Sequence, residues 1–500
     1  MYEYAKPVFY FPQKLGRIED MIKEDLIKIN DYLWEIPKKF RSDMRVPARV
    51  YTDEKMLEKI LQDRSLDQLV NLSCLPGIQK YGLAMSDCHE GYASPIGGVA
   101  AIRTSDGIIS PGMQGYDVNC GMKLLKSELT DQEIKPHLEN LANKIQREVP
   151  SGLGRGRRQK FSIEQINKIL EGGAEYLVEK GYGQKEDVEN CEAGGKLEQA
   201  DASVVSERAK NRGRGQVGTL GSGNHFIEIQ KVDKIFDEKT ANAFGLFKDQ
   251  VVIMIHTGSR GLGHQVATDY IKEFMGLMEK YKIKVPDREF ACVPFNSPEG
   301  QRGMAASAAA ANYAWANRQM IAHFTRKAWD SVLGKESSSL IALYDVAHNI
   351  IKIEKYDIDG KETEIAIHRK GATRAFPDGH PELPKKYQQT GQPVLIPGSM
   401  GTASYVLVGT EKGEEAFFST CHGAGRAMSR HAAMRAVSGQ EVVRDLREKG
   451  IIVKCRSMRG IAEEAPLAYK DIDEVIEVVH NAGLSRKVAR LTPLAVIKGE

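Results

Sequence analysis

The chain has 500 residues, 41% of them hydrophobic, which is enough to bury a large core and excludes a disordered protein. Its 70 Lys and Arg against 67 Asp and Glu leave a formal charge of +3, which excludes a polyanion binder working by bulk charge. Seven scattered cysteines argue against a disulfide framework and for free thiols in a cytoplasmic, reducing compartment, and no stretch reads as a signal peptide or membrane span.

Ile18, Met21, Ile22, Leu26 and Ile29 recur at helical spacing and predict an amphipathic helix. It belongs to a helical or extended region over 1–80, packed on a catalytic body over 81–500. From about 80 to 125 the sequence is glycine-rich, and Gly97–Ile102 and Met122–Leu125 read as strands between tight loops. Two segments, Ser151–Lys160 and Arg208–Gly215, put arginines and lysines on glycine-rich backbone that resists helix formation, as phosphate-contacting or plain surface loops. Residues 160–200 turn helical and acidic. Ala305–Trp329 is a long helix by propensity, its Asn, Arg and His residues read as face decoration.

The histidines carry the strongest pattern. Val251–Ile255 runs into His256, Leu340–Asp345 into His348, and Ala416–Phe418 into His422, each read as a buried strand ending in histidine, while His225 leads into Phe226-Ile227-Glu228. One such histidine is usually a hydrogen-bonded structural residue; the repetition points to a converging site on rigid strand ends. Gly115-Tyr-Asp117-Val-Asn119-Cys120-Gly121 sets a carboxylate and a thiol three residues apart. With imidazoles, that donor set suits Mn²⁺ or Zn²⁺ better than Mg²⁺, and a thiolate can bridge two ions; a buried structural cysteine fits the spacing equally well. His422, followed by Gly-Ala-Gly-Arg426 and an apparent helix from Ala427, has surroundings that suit a phosphate-facing nucleophile, although taken alone the motif fits a helix-start histidine with a glycine turn better. The chain has neither a Gly-x-x-x-x-Gly-Lys-Ser/Thr phosphate loop nor a Lys-x-Asp-Gly ligase motif, which removes those two nucleotide chemistries.

In chain order, Asp87-Cys88-His89-Glu-Gly91, Gly115 to Gly121, Gly218 to Glu228, His256-Thr-Gly-Ser-Arg260-Gly, Asp345 to Asn349, His368 to Arg374, Pro397 to Ser404 and His422 to Arg426 resemble the RtcB RNA ligases, from about residue 80 to the C-terminus. The resemblance implies an α+β fold, a single large catalytic domain with layered, mostly antiparallel sheets and peripheral helices. It implies Asp117, Cys120, His225, His256 and His348 as ligands of two Mn²⁺ ions, with Zn²⁺ or Co²⁺ as alternative occupants, and His422 as a guanylylated nucleophile. GTP would be held by Asn224, His225, Phe226, Ile227, Glu228, His348, Asn349, Pro397, Gly398, Ser399, Met400, Ser404, His422, Gly423, Ala424, Gly425, Tyr469 and Lys498. Arg260, Lys370, Arg374 and Arg426 are candidates for RNA phosphates. The implied activity joins RNA 2′,3′-cyclic-phosphate or 3′-phosphate ends to 5′-hydroxyl ends, in tRNA splicing or RNA repair, with an archease-like activator as a candidate partner. Cys88 and Cys421 depart from the family pattern and raise the prospect of oxidation or wrong-metal capture, and Glu500 extends the usual ending. Two other readings stand beside this one: a binuclear metallophosphoesterase, and a non-catalytic RNA-binding protein using the Arg-Gly segments.

Overall fold

The structure, a computed structural model, describes residues 21–152, 157, 160–334 and 339–499. Two sheets organise them. The first has seven strands in the order Ile27–Asn30, Leu33–Ile36, Ala48–Tyr51, Ile78–His89, Ile96–Arg103, Lys361–Lys370 and Asn349–Ile358, antiparallel except where Ala48–Tyr51 runs parallel to Ile78–His89. The second follows the path Ile341–Ala347, Gly121–Thr130, Gln250–Thr257, Phe226–Ile235, Ser485–Lys498, Ser404–Gly409 and Pro393–Ile396, with Ile452–Lys454 parallel to Ser485–Lys498. With helices packed around them, this is the expected α+β architecture of layered, mostly antiparallel sheets. His348 is the single residue between the Ile341–Ala347 strand of one sheet and the Asn349–Ile358 strand of the other. A site built there draws on both sheets.

Every residue of Gln250–Thr257 is buried, which is why this central strand reads as an unbroken apolar run rather than an alternating one. The long helix spans Pro298–Leu333, started by Ser297, whose hydroxyl accepts from the Gly300 N–H, and by Pro298 in its first turn. Its polar residues are not decoration. Asn312, Asn317, Arg318 and Gln319 are buried and hydrogen-bonded; the Asn312 side chain grips the Leu197 N–H, and Asn317 accepts from Gly218 N–H and donates to the Gly258 carbonyl. Burying them is tolerable because each finds hydrogen-bond partners in the segments packed around the helix.

Two further expectations change. The predicted N-terminal helix is, over the described residues, a single turn at Lys23–Asp25 followed by the edge strand Ile27–Asn30; Ile18 lies outside the described residues. Ile22, Ile27 and Ile29 are 54%, 48% and 45% exposed, so the helical spacing buries no stripe, and the β-branched side chains favour extended backbone. Conversely, the glycine-rich Arg208–Gly215 segment contains the helix Glu207–Gly213, because Ser206 caps it by accepting from the Ala209 N–H.

Candidate metal centre and nucleotide cavity

Register brings the predicted ligands together. In the second sheet Met122 pairs with His256, Phe226 pairs with His256, and Ala347 pairs with Gly121. Cys120, His225, His256 and His348 therefore stand at the same end of four adjacent strands. Asp117 reaches in from the preceding loop, where its Oδ1 accepts from the Ser259 N–H at 3.0 Å. Gly258 must be glycine at this approach, since a Cβ there would lie 2.5 Å from the Asp117 carboxylate. Asn119 has a left-handed backbone (φ 51°) and is clamped by the buried Arg318, which donates to its carbonyl at 2.7 Å and to its side-chain oxygen at 3.0 Å.

The donors form two overlapping groups, Cys120–His256–His348 and Asp117–Cys120–His225, each with its ligand atoms within 4.8 Å of one another. The Cys120 sulfur lies 3.3 Å from His256 Nε2 and 3.5 Å from His225 Nε2, His256 Nε2 lies 3.4 Å from His348 Nε2, and His225 Nε2 lies 2.9 Å from Asp117 Oδ2. Burial, then neighbouring imidazoles, push His256 and His348 well below the ordinary histidine value, so both rings are neutral and offer lone pairs. Burial opposes ionisation of Asp117, yet the hydrogen bond and charge of His225, together with Cys120 and Arg260, outweigh it and hold the carboxyl at about 2. Burial and then the Asp117 charge push the Cys120 thiol well above its usual range. A carboxylate, a sulfur and three imidazoles facing one another fit cations that share the sulfur.

His422 stands against this cluster. Its ring is 5.0 Å from the His348 ring at 65°. Its Nδ1 lies 2.5 Å from Asp87 Oδ2, and the same oxygen accepts from the backbone N–H groups of His422 and Gly423. Burial works against the Asp87 charge, but His422 overcomes it and keeps the carboxyl below its ordinary value. With Nδ1 engaged, Nε2 is the ring nitrogen left for chemistry. Gly425 (φ 70°) lets the loop pass over this strand, where a Cβ would meet the Asp87 carbonyl at 2.4 Å.

Beside His422 opens a cavity of about 310 Å³. Among the residues expected at a nucleotide, Asn224, Phe226, Pro397, Gly398, Ser399, Met400, His422, Gly423, Ala424, Gly425, Tyr469 and Lys498 line it. Lys498 is buried and paired in register with Phe226, at the end of Ser485–Lys498. Glu228, Ile227 and Ser404 lie one layer deeper; Gln230 Nε2 donates to Glu228 Oε2 and to the Ser404 hydroxyl, which in turn accepts from the Gly398 N–H. Burial raises Glu228 to about 8 despite Gln230 and Lys498. His225 and His348 belong to the metal cluster, and Asn349 braces it by donating to the Asp117 carbonyl and accepting from the Gly371 N–H.

A family model described as tRNA-splicing ligase RtcB matches residues 68–499. The chain belongs to the RtcB family. It is an enzyme of the ligase class, similar to the tRNA-splicing ligase RtcB of Thermococcus kodakarensis, 51% identical over 95% of this chain and 99% of the relative, and to that of Nanoarchaeum equitans, 52% identical over the same shares. The RNA-splicing ligase RtcB of Mycobacterium tuberculosis is 51% identical over 86% of this chain and all of its own length.

Within this RtcB-family fold several sequence expectations need correction. The strand entering His422 is Ser419–Cys421, not Ala416–Phe418: Glu411–Ala416 is a 3₁₀ segment, and Phe417 and Phe418 adopt left-handed backbone (φ 51° and 46°) that ends any extended run. The next helix begins at Arg430, capped by Ser429, so His422 is not at a helix N-terminus. Lys370 is buried and donates to the carbonyls of Tyr92, Ser94 and Gly112, and Arg374 is buried in pairs with Glu382 and Gln392, so neither faces a substrate. Arg426 lines the cavity, paired with Glu464 at 3.1 Å and lying over the Tyr469 ring. Burial pushes the Cys88 thiol up to about 12 and Cys421 well above its usual value, so neither offers a thiolate at neutral pH. Arg155 and Arg158 lie outside the described residues, but Arg157 docks on the second basic segment through its N–H to the Gly215 carbonyl.

Sequence reasoning missed Asp87, Arg430 and Glu464. Asp87 stood inside a quoted motif without a role; its signal was a carboxylate in the last turns of a long buried strand, which predicts a required partner. Glu464 collects Arg426, Arg430 and the Tyr469 hydroxyl, a convergence of distant residues with no sequence spacing to reveal it.

Proposed function

We propose that this protein is a GTP- and Mn²⁺-dependent RNA ligase that joins 2′,3′-cyclic-phosphate or 3′-phosphate ends to 5′-hydroxyl ends through a guanylylated His422, acting on tRNA halves or cleaved RNA in the cytoplasm. Asp117, Cys120, His225, His256 and His348 would hold the cations, which supply charge neutralisation at the phosphates. The observation that carries the reading is the placement of His422: Nδ1 fixed by a buried carboxylate, its ring against the metal-ready cluster and its side chain on the wall of a nucleotide-sized cavity.

In that frame His422 Nε2 attacks the α-phosphorus of GTP, the N–P bond forms as the P–O bond to pyrophosphate breaks, and Asp87 stabilises the imidazolium character that develops. Water opens a cyclic phosphate to the 3′-phosphate. An oxygen of that phosphate then takes the guanylate from His422, returning the lone pair to the ring. The 5′-hydroxyl attacks the activated 3′-phosphorus, its proton is lost to solvent or a base, and GMP leaves. In this reading Lys498 and Tyr469 on the cavity wall read the base, buried Glu228 acts from the layer behind them, and the Pro397–Met400 turn seats the sugar and phosphates.

Incubation with α-labelled GTP and Mn²⁺ tests this. Label surviving denaturation in wild type and absent from His422→Ala is the expected result. Phosphodiester hydrolysis without any covalent label would instead favour a metallophosphoesterase.

A further inference from the structure

An RNA end whose phosphate reaches His422 cannot keep its terminal base stacked in a duplex, so the base needs another surface. Three rings beside the metal cluster offer one. Tyr116 immediately precedes Asp117, and its ring lies 5.0 Å from the His264 ring at 26°, a stacked pair; the Tyr92 ring also packs on Tyr116, 5.4 Å away and tilted by 57°. All three side chains are only half-buried. Tyr92 belongs to the loop whose ends, His89, Glu90 and Ile96, line the nucleotide cavity, so the rings and the cavity share one piece of backbone.

His264 sits in the second turn of the helix Arg260–Leu277, which follows the His256 strand directly. Its Nδ1 has no hydrogen-bond partner. Two arginines belong to the same neighbourhood: a Cβ on Gly261 would lie 3.3 Å from Arg212, which donates to Gln265 Oε1 one residue past His264, and Arg260, which opens the helix, donates to the Thr219 hydroxyl and the Gly152 carbonyl. Half-exposed aromatic rings grouped beside a phosphate-processing centre form a surface on which the bases of single-stranded nucleic acid stack.

We propose that Tyr92, Tyr116 and His264 form a stacking platform for the terminal nucleobase of a single-stranded RNA end delivered to the metal cluster. This rests on the RNA-ligase reading above. The chemistry is the same for the 3′-phosphate end and the 5′-hydroxyl end, so the test treats the two separately.

Joining kinetics are measured with oligonucleotide pairs in which the terminal residue of either the 3′-phosphate strand or the 5′-hydroxyl strand is abasic. In wild type, loss of the base in one arm is expected to lower kcat/KM about tenfold, the usual worth of a base stacked on an aromatic ring. Tyr92→Leu and His264→Leu should shrink that ratio to within about twofold, while Tyr92→Phe, which keeps the ring, should preserve it. Equal joining of normal and abasic ends by wild type in both arms would overturn the platform, whether or not the leucine variants fold. So would a loss that persists unchanged in those variants. A wild-type protein that takes no label from GTP removes the ligase reading itself, and the platform with it.

Discussion

Asp87 is the residue on which the account leans hardest after His422. The two side chains are 335 residues apart in sequence and share a short hydrogen bond, so no spacing rule could have joined them. Asp87→Asn keeps the shape but loses the charge that favours imidazolium, and should slow GTP labelling of His422 by roughly 10²-fold with little change in fold, read by rate of label incorporation and by circular dichroism. Glu228 gives a pH prediction. Burial raises its folded value to about 8, above that of an unfolded glutamate, so the native state binds the extra proton and loses stability as pH rises from the unfolded value through about 8. Thermal unfolding at pH 5 and pH 8.5 should therefore show Glu228→Gln close to wild type at the lower pH and more stable by a few degrees at the higher.

Elements were legible where local pattern and packing agree. An apolar run ending in His256 can only be a buried strand, and Ala-rich residues from 305 can only be helix. Propensity does not say which neighbours surround a helix, which is why Arg318 read as decoration. It is fully buried, donates to Asp345 at 2.8 Å, and anchors the backbone on either side of the cluster through the Asn119 and Thr257 carbonyls. Arg318→Met would leave Asp345 with only Lys123, 3.7 Å away. Removing one partner of such a buried pair costs about 3 to 5 kcal/mol, which should appear as a lower denaturation midpoint together with weaker Mn²⁺ binding. The turn into His422 was unreadable for a related reason: left-handed Phe417 and Phe418 obey the tertiary packing of their rings, and non-glycine residues give no local warning of positive φ.

At the scale of the whole molecule, the cluster gathers donors from Asp117 to His348 at the ends of four strands, and His348 joins one sheet to the other. The sequence could point to these donors because His256 and His348 lie at the ends of strands and His225 leads into one; it could not reveal that Gly121, Met122, His256 and Phe226 fall in one register, which is a property of pairing across distant segments. Ions bound at such a junction stabilise the folded state by mass action, so Mn²⁺ should raise the thermal midpoint and a chelator lower it, while Cys120→Ser should lose most of that response.

Transfer of phosphorus onto the imidazole of His422 beside this cluster would leave a covalent mark on one short peptide. Tandem mass spectrometry of the peptide spanning Cys421 to Arg426, after incubation with GTP and Mn²⁺ and digestion under alkaline conditions that preserve a phosphoramidate, reads it directly. A guanylate on His422, absent when the chelator is present, is the predicted result; an unmodified His422 peptide, or a guanylate mapped to a lysine elsewhere, would contradict it.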